Sequence, residues 1–236
     1  MSRLETQIAE NVTRIREQIA EAAQRAGRSP DKVRLVGVTK YVGPEETAAL
    51  VAAGVHDLGE SRPQELWRKA ELSTFQDVRW HLIGHLQRNK VRRTLPWVSL
   101  IHAGDSLRLL KEINDESARQ SRITPLLLEI NISGDAAKHG FSPTEIEPLL
   151  SEIASLRHIQ VQGLMTMASL YGGREQARKD FAALRTLRDR LAASCPPEIS
   201  LKELSMGMSG DFDLAIEEGA TLIRVGSALF EGCECV

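Results

Sequence analysis

The feature that most limits what this chain can fold into is a series of eight short apolar runs, separated by stretches of helical character. They are VRLVGVTK (33 to 40), VHDLG (55 to 59), VRWHLI (78 to 83), VSLIHA (98 to 103), PLLLEIN (125 to 131), IQVQGLM (159 to 165), SLKEL (200 to 204) and TLIRVG (221 to 226). Of the segments between them, PEETAALVAAG has Pro44 at a first-turn position and Gly54 as terminator. SPTEIEPLLSEIASL carries a Ser-x-x-Glu capping pattern from Ser142 to Glu145, and GREQARKDFAALRTLRDRLAAS is the longest. Strands alternating with such helices pair in parallel, because each parallel neighbour needs a crossover long enough to hold a helix. Eight repeats in 236 residues fit a closed (β/α)8 TIM-type barrel, typically about 250 residues, better than an open doubly wound sheet.

Ahead of the first run, Leu4, Ile8, Val12, Ile15, Ile19, Ala22 and Ala23 recur at three- and four-residue steps, which predicts an extra N-terminal helix stopped by Gly27. No stretch is rich enough in Ser, Gly or Pro to be a linker, so one barrel domain is expected over residues 1–236.

Thirty basic against 32 acidic side chains leave a formal charge of −2. No global field then favours nucleic acid or an anionic membrane, and any anion has to be bound locally. The N-terminus lacks the uninterrupted apolar core of a signal peptide, and no apolar run approaches the roughly 20 residues needed to span a bilayer. A cytoplasmic protein is the expectation. Cys195 stands far from Cys233 and Cys235, which argues against a disulfide framework or a four-cysteine zinc cluster and makes the terminal C-x-C a frayed, reduced tail. No metal site is expected either: the histidines are scattered, and His81 and His85, though four apart, flank Gly84 where a strand is ending.

In a (β/α)8 barrel, functional groups cluster where strands end and the βα loops begin. Strand 1 ends in Val38-Thr39-Lys40, and a lysine in a partly dehydrated mouth keeps some amine neutral enough to condense with an aldehyde. After strand 7 come Ser205, Gly207 and Ser209, before a helix opening near Asp211; strand 8 ends in Arg224, Gly226 and Ser227. Small residues let backbone N–H groups approach an anion, hydroxyls add donors, and helix ends add positive dipole. Either glycine alone reads as a tight turn; two such loops on adjacent strands point as readily to a phosphate.

Val38-Thr39-Lys40, Gly59-Glu60-Ser61, WHLIGHLQRNK from Trp80, INISGDAAKHG from Ile130, GLMTM from Gly163, LSMGMSGDF from Leu204 and RVGSALF from Arg224 together resemble the pyridoxal-phosphate homeostasis proteins of the YggS/PROSC type, over nearly the whole chain and in order. That resemblance implies the barrel of alanine racemase without its second domain, with pyridoxal 5′-phosphate (PLP) as a Schiff base on Lys40. It implies a phosphate cradle of Ser205, Met208, Ser209, Gly226 and Ser227, and places Arg224 beside the pyridine nitrogen. His81 and Met165 are expected either to line the mouth or to be ordinary barrel-interior residues, Ser61 to face the cofactor's phenolic oxygen, and Asp135, Lys138 and His139 to approach the mouth from the loop after strand 5. The chain departs from the family pattern at Tyr41 (usually Pro), Ser61 (usually Asn), and His85 and Arg88 (usually small residues or Pro).

A carrier or regulator of PLP is expected, not a catalyst. A guanidinium at the pyridine nitrogen cannot accept the ring proton, and a two-base racemase needs a second acid/base that the related enzyme takes from another domain, for which the ten residues after Gly226 leave no room. General acid–base groups contribute about 10²- to 10⁴-fold each, so the alternative, a PLP-dependent amino-acid racemase, is expected to be weak. A barrel for some other sugar phosphate is a third reading of the phosphate loops alone. PLP-dependent apo-enzymes are the expected recipients, and a monomer is the expected state.

Overall fold

The computed structural model describes residues 2–135, 137–169 and 171–233. Eight strands, β1 (Arg34–Val38), β2 (Asp57–Glu60), β3 (Arg79–Leu82), β4 (Val98–Gly104), β5 (Thr124–Glu129), β6 (Ile159–Met165), β7 (Glu203–Ser205) and β8 (Leu222–Val225), close into a barrel in chain order. Every neighbouring pair is parallel, and β1 closes on β8 with Arg34 opposite Leu222 and Gly37 opposite Val225. This is the TIM-type fold that the eight runs predict. Helices α1 (Arg3–Arg25), α2 (Pro44–Ala52), α3 (Pro63–Ala70), α4 (Val91–Thr94), α5 (Leu107–Arg119), α6 (Ile146–Ala154), α7 (Gly173–Ala192) and α8 (Phe212–Glu217) complete the chain.

Local signals act where they are read. Ser142 and Glu145 exchange side-chain and backbone hydrogen bonds, both at 3.2 Å, just before α6. Pro44 opens α2, and Gly54 ends that segment at φ +83°. The N-terminal helix α1 carries its own capping box between Ser2 and Glu5 and buries Ile8, Val12, Ile15 and Ile19 against the rest of the molecule.

Two cores result. The larger lies between the strands and the helices; a smaller one, of Val36, Leu100, Ala103, Leu127, Met165 and Leu222, fills the barrel axis. Met165 therefore belongs to the interior packing, 1% exposed, and not to the mouth.

As far as Cys233, the segment after β8 is packed and not frayed. Asn11 of α1 donates to the carbonyls of Leu229 (3.2 Å) and Glu231 (2.9 Å), and Cys233 is half-buried against the core. Buried carbonyls need donors, and a buried asparagine 218 residues away in sequence is a partner that periodicity does not reveal. Cys235 lies outside the described residues.

Candidate functional site at the C-terminal end of the barrel

A cavity of about 440 Å³ opens where the strands end, walled by Val38, Lys40, Tyr41, Val42, Ser61, Ile83, Gly84, Met167, Met208, Ser209, Gly210, Arg224, Gly226, Ser227 and Phe230. Among these residues the charged ones are Lys40 and Arg224; no carboxylate stands in the wall. Such a space attracts an anion of small-molecule size.

Lys40 reaches the cavity from a turn. β1 ends at Val38, the Thr39 N–H still donates to Gly59 O (3.0 Å), and Lys40 follows with an exposed side chain whose Nζ lies 4.8 Å from the centre of the Tyr41 ring. The expected partial dehydration of this lysine is thus absent, because the strand stops two residues early. Beneath it sits a polar anchor: Lys69 of α3, 1% exposed, donates to Thr39 O (2.7 Å) and to Glu60 Oε1 (2.6 Å), which also accepts from Thr39 Oγ1 (2.6 Å). Two charges out of water must satisfy each other, and here they fix the backbone immediately before Lys40.

On the opposite wall, Gly207 adopts φ +90°, and a Cβ there would lie 2.6 Å from Ala215 Cβ, so that turn requires glycine. Gly226 differs. A Cβ on it would meet Val38 at an ordinary 3.4 Å, so packing does not demand glycine, and what its absence leaves open is cavity wall. The N–H groups of Ser209, Gly210 and Ser227 donate to no described residue, and neither does the Ser227 hydroxyl; Ser209 Oγ accepts from Gly226 N–H (3.1 Å). The Met208 N–H is already held by Asp211 Oδ1 (2.6 Å), and Met208 contributes its half-exposed side chain instead. Burial pushes the Asp211 carboxyl above its ordinary value despite that bond.

Ser205 stands behind the wall, fully buried, and accepts from Arg224 Nη1. Arg224 Nη2 donates to Thr166 O (3.0 Å). Burial lowers the guanidinium to about 10, so it remains charged and donating at neutral pH.

His81 is also removed from the mouth. It is 1% exposed inside the barrel, its Nε2 3.0 Å from Asp57 Oδ1 and its Nδ1 2.9 Å from His102 Nε2; His102 Nδ1 lies 2.8 Å from Ser205 Oγ. β3 pleats inward at His81, as the alternation around Trp80 and Leu82 requires. Burial lowers both imidazoles, His102 the further. Burial alone would raise the Asp57 carboxyl, yet hydrogen bonds from His81 and Arg79 hold it well below its usual range.

Ser61 lines the cavity, its hydroxyl without a partner among the described residues, and its backbone is packed so closely on Gly84 that a Cβ there would lie 2.9 Å from Ser61 Cα. Lys138 donates to the carbonyls of Met167 (3.3 Å) and Ala168 (2.9 Å), which brings the loop after β5 to the cavity rim. Sequence reasoning missed Lys69, Asp57, His102 and Thr166. The legible signals were weak ones: a lysine between Leu66 and Ala70 on a helix's apolar side, and a histidine inside the apolar run VSLIHA.

A closed parallel barrel with a lysine and an anion-accepting wall at its C-terminal end defines the class of the alanine racemase N-terminal domain, and a model of that family matches residues 11–233. The pyridoxal phosphate homeostasis protein of Aquifex aeolicus is 38% identical over 221 residues, 94% of this chain and 96% of that protein. The crystal structure of an unknown protein from Bifidobacterium adolescentis superposes with a TM-score of 0.91 at 36% identity, covering 98% of this chain and 97% of the other. PipY of Synechococcus elongatus PCC7942, with PLP bound, gives a TM-score of 0.84 at 34% identity, covering 94% and 99%. The chain belongs to the pyridoxal phosphate homeostasis protein family. No helix among the described residues is long and apolar enough to cross a membrane.

Proposed function

We propose that this chain binds pyridoxal 5′-phosphate in the cavity, covalently through Lys40, and stores or hands on the cofactor without turning over amino acids. The observation that carries the reading is the wall whose charged groups, among the described residues, are Lys40 and Arg224, with the N–H groups of Ser209, Gly210 and Ser227 donating to no described residue. Unused donors on one side and a primary amine on the other suit a small ligand with a phosphate at one end and an aldehyde beside its ring. Names and bound ligand of the relatives, a homeostasis protein at 38% identity and PipY with PLP, support the same ligand.

When bound, the cofactor supplies an aldehyde for amines to attack and a ring that can draw electrons from the attached carbon. This chain's residues limit that second capacity. Arg224, held by Ser205 and Thr166, offers hydrogen bonds to a ring nitrogen and cannot take its proton. Ser209, Gly210, Gly226 and Ser227 form the anion's cradle, and Ser61 offers its free hydroxyl to a ring oxygen. A racemase needs acid/base groups on both faces of its substrate; the tyrosine in the wall, Tyr41, lies against the Lys40 amine and so shares its side. Ser205, Met165 and His81 support the wall from behind.

The protein works, in this reading, as a cytoplasmic monomer whose cofactor passes to PLP-dependent apo-enzymes. The test is a visible spectrum of the purified chain with added PLP, followed by borohydride reduction and peptide mass analysis. A band that disappears in Lys40→Ala, with the reduced adduct on the Lys40 peptide, is expected. A colourless, unmodified protein overturns the proposal, and Lys40-dependent racemisation of L-amino acids well above that of free PLP overturns its carrier half.

A further inference from the structure

A second constellation sits beside the cavity. His85 follows β3, Asp105 follows β4, and His139 lies in the loop after β5; one donor atom from each falls within 4.8 Å of the other two. His85 Nδ1 and Asp105 Oδ2 are 2.6 Å apart, and the rings of His85 and His139 stack with centroids 4.3 Å apart. Both histidines are exposed, while the Asp105 side chain is 6% exposed and makes its only hydrogen bond among the described residues to His85. A second carboxyl, Glu129 at the end of β5, is 5% exposed, within electrostatic reach of Asp105, Arg224 and His85, and makes no side-chain hydrogen bond among the described residues. Two buried carboxyls with so few donors form a place where added positive charge is stabilising.

We propose that His85, Asp105 and His139 bind one divalent first-row transition-metal ion, best represented by Zn2+, on the rim of the barrel. Two imidazoles and one carboxylate are a donor set that such ions take readily, and three protein ligands leave a position for water. With bonds of about 2.0 Å, ligand atoms around a tetrahedral ion stand roughly 3.3 Å apart. The His85–Asp105 pair therefore widens slightly, and the exposed His139 ring closes the remaining gap by rotating on its loop. The His85 Nδ1 lone pair has to be free for the metal, so the proton it shares with Asp105 moves to Nε2 of the exposed ring. Neighbouring residues link the ion to the cavity: Gly84 precedes His85 in the wall, and Lys138 precedes His139 and holds Met167 O. An ion here would staple two loops that border the cavity, whatever ligand the cavity holds.

The test is isothermal titration of Zn2+ into the full chain after removal of adventitious metal, in a Cys233→Ser, Cys235→Ser background so that tail thiols do not compete. One equivalent is expected to bind saturably, with affinity falling at least about tenfold in His85→Ala and in His139→Ala, and Co2+ at the same site is expected to give the intense visible bands of a tetrahedral complex. His139→Ala removes an exposed ring and is expected to leave folding intact, whereas His85→Ala also takes the partner of the buried Asp105 carboxyl, so circular dichroism checks both and His139→Ala is the deciding variant. Absence of a saturable equivalent, or equal uptake by both histidine variants and the parent, overturns the proposal.

Discussion

His102 Nε2 lies 2.9 Å from His81 Nδ1 inside the barrel, and the direction of that hydrogen bond is fixed by residues at either end of the chain to which it belongs. Arg224 can only donate, to Ser205 Oγ; the hydroxyl then donates to His102 Nδ1, His102 Nε2–H to His81 Nδ1, and His81 Nε2–H to Asp57, which can only accept. Both imidazoles are satisfied as neutral rings, consistent with the lowering that burial imposes on each. The relay joins the exposed Arg79, paired with Asp57 at the N-terminal end, to the guanidinium in the cavity wall.

Removing the middle of this relay strands its neighbours. His102→Ala leaves His81 Nδ1 without a donor and the Ser205 hydroxyl proton without an acceptor, both buried, and each such loss costs about 1–3 kcal/mol. A loss of roughly 2–5 kcal/mol in urea unfolding is expected, with weaker PLP uptake because Arg224 loses its orientation. Stability within 1 kcal/mol of the parent would contradict the relay.

The same rings set a pH dependence whose sign follows from linkage. Their folded-state values lie below the ordinary 6.5, so the unfolded chain binds more protons as pH falls, and stability rises with pH in that window. The contribution is complete above about pH 6.5 and is lost progressively below it. Urea midpoints measured from pH 7.5 to 5 are expected to fall in the parent and to fall less in His102→Gln.

Lys69→Met should be more damaging than its distance from the cavity suggests. It leaves the fully buried Glu60 carboxylate without its cation and Thr39 O with the Val42 N–H as its remaining donor, and breaking one side of a buried pair typically costs about 3–5 kcal/mol. Adding Glu60→Gln removes the stranded charge and is expected to recover part of the loss. A double variant no more stable than Lys69→Met would show that the pair does not act as a unit.

Gly163→Ala tests the glycine, among those described, where an added Cβ has the least room. A Cβ at Gly163 would lie 2.6 Å from the carbonyl carbon and 2.8 Å from Cα of Glu203, which is its partner across β6 and β7. Backbone cannot yield as a side-chain tip does, so a cost of at least about 3 kcal/mol is expected. That corresponds to a fall in Tm of roughly 6–12 °C for a chain of this size, and an unchanged Tm would rule out the contact.

Short-range chemistry carried the architecture, and it was legible. The apolar runs, the Ser142–Glu145 cap, Pro44 and the α1 stripe all act within a few residues, so reading along the chain found the barrel's elements. Strand boundaries were less legible: SLKEL became a ladder only over Glu203–Ser205, since pairing depends on what the neighbouring strands offer. At the site, Lys40, Ser61, Met208, Ser209, Arg224, Gly226 and Ser227 all reach one cavity. His81, Met165 and Ser205 do not, because the inward pleat and closure of the barrel bury them.

By itself, the order of residues determined which segments become strands and helices and which loop residues have the right chemistry for an anion and an aldehyde. Only closure of the barrel decided which of them meet. It brought Lys69 to Glu60, aligned Asp57, His81, His102, Ser205 and Arg224 into one directed relay, and set His139 against His85 and Asp105. Buried polar groups must find partners wherever the fold places them, and those partners come from strands and loops whose separation along the chain carries no record of their nearness in space.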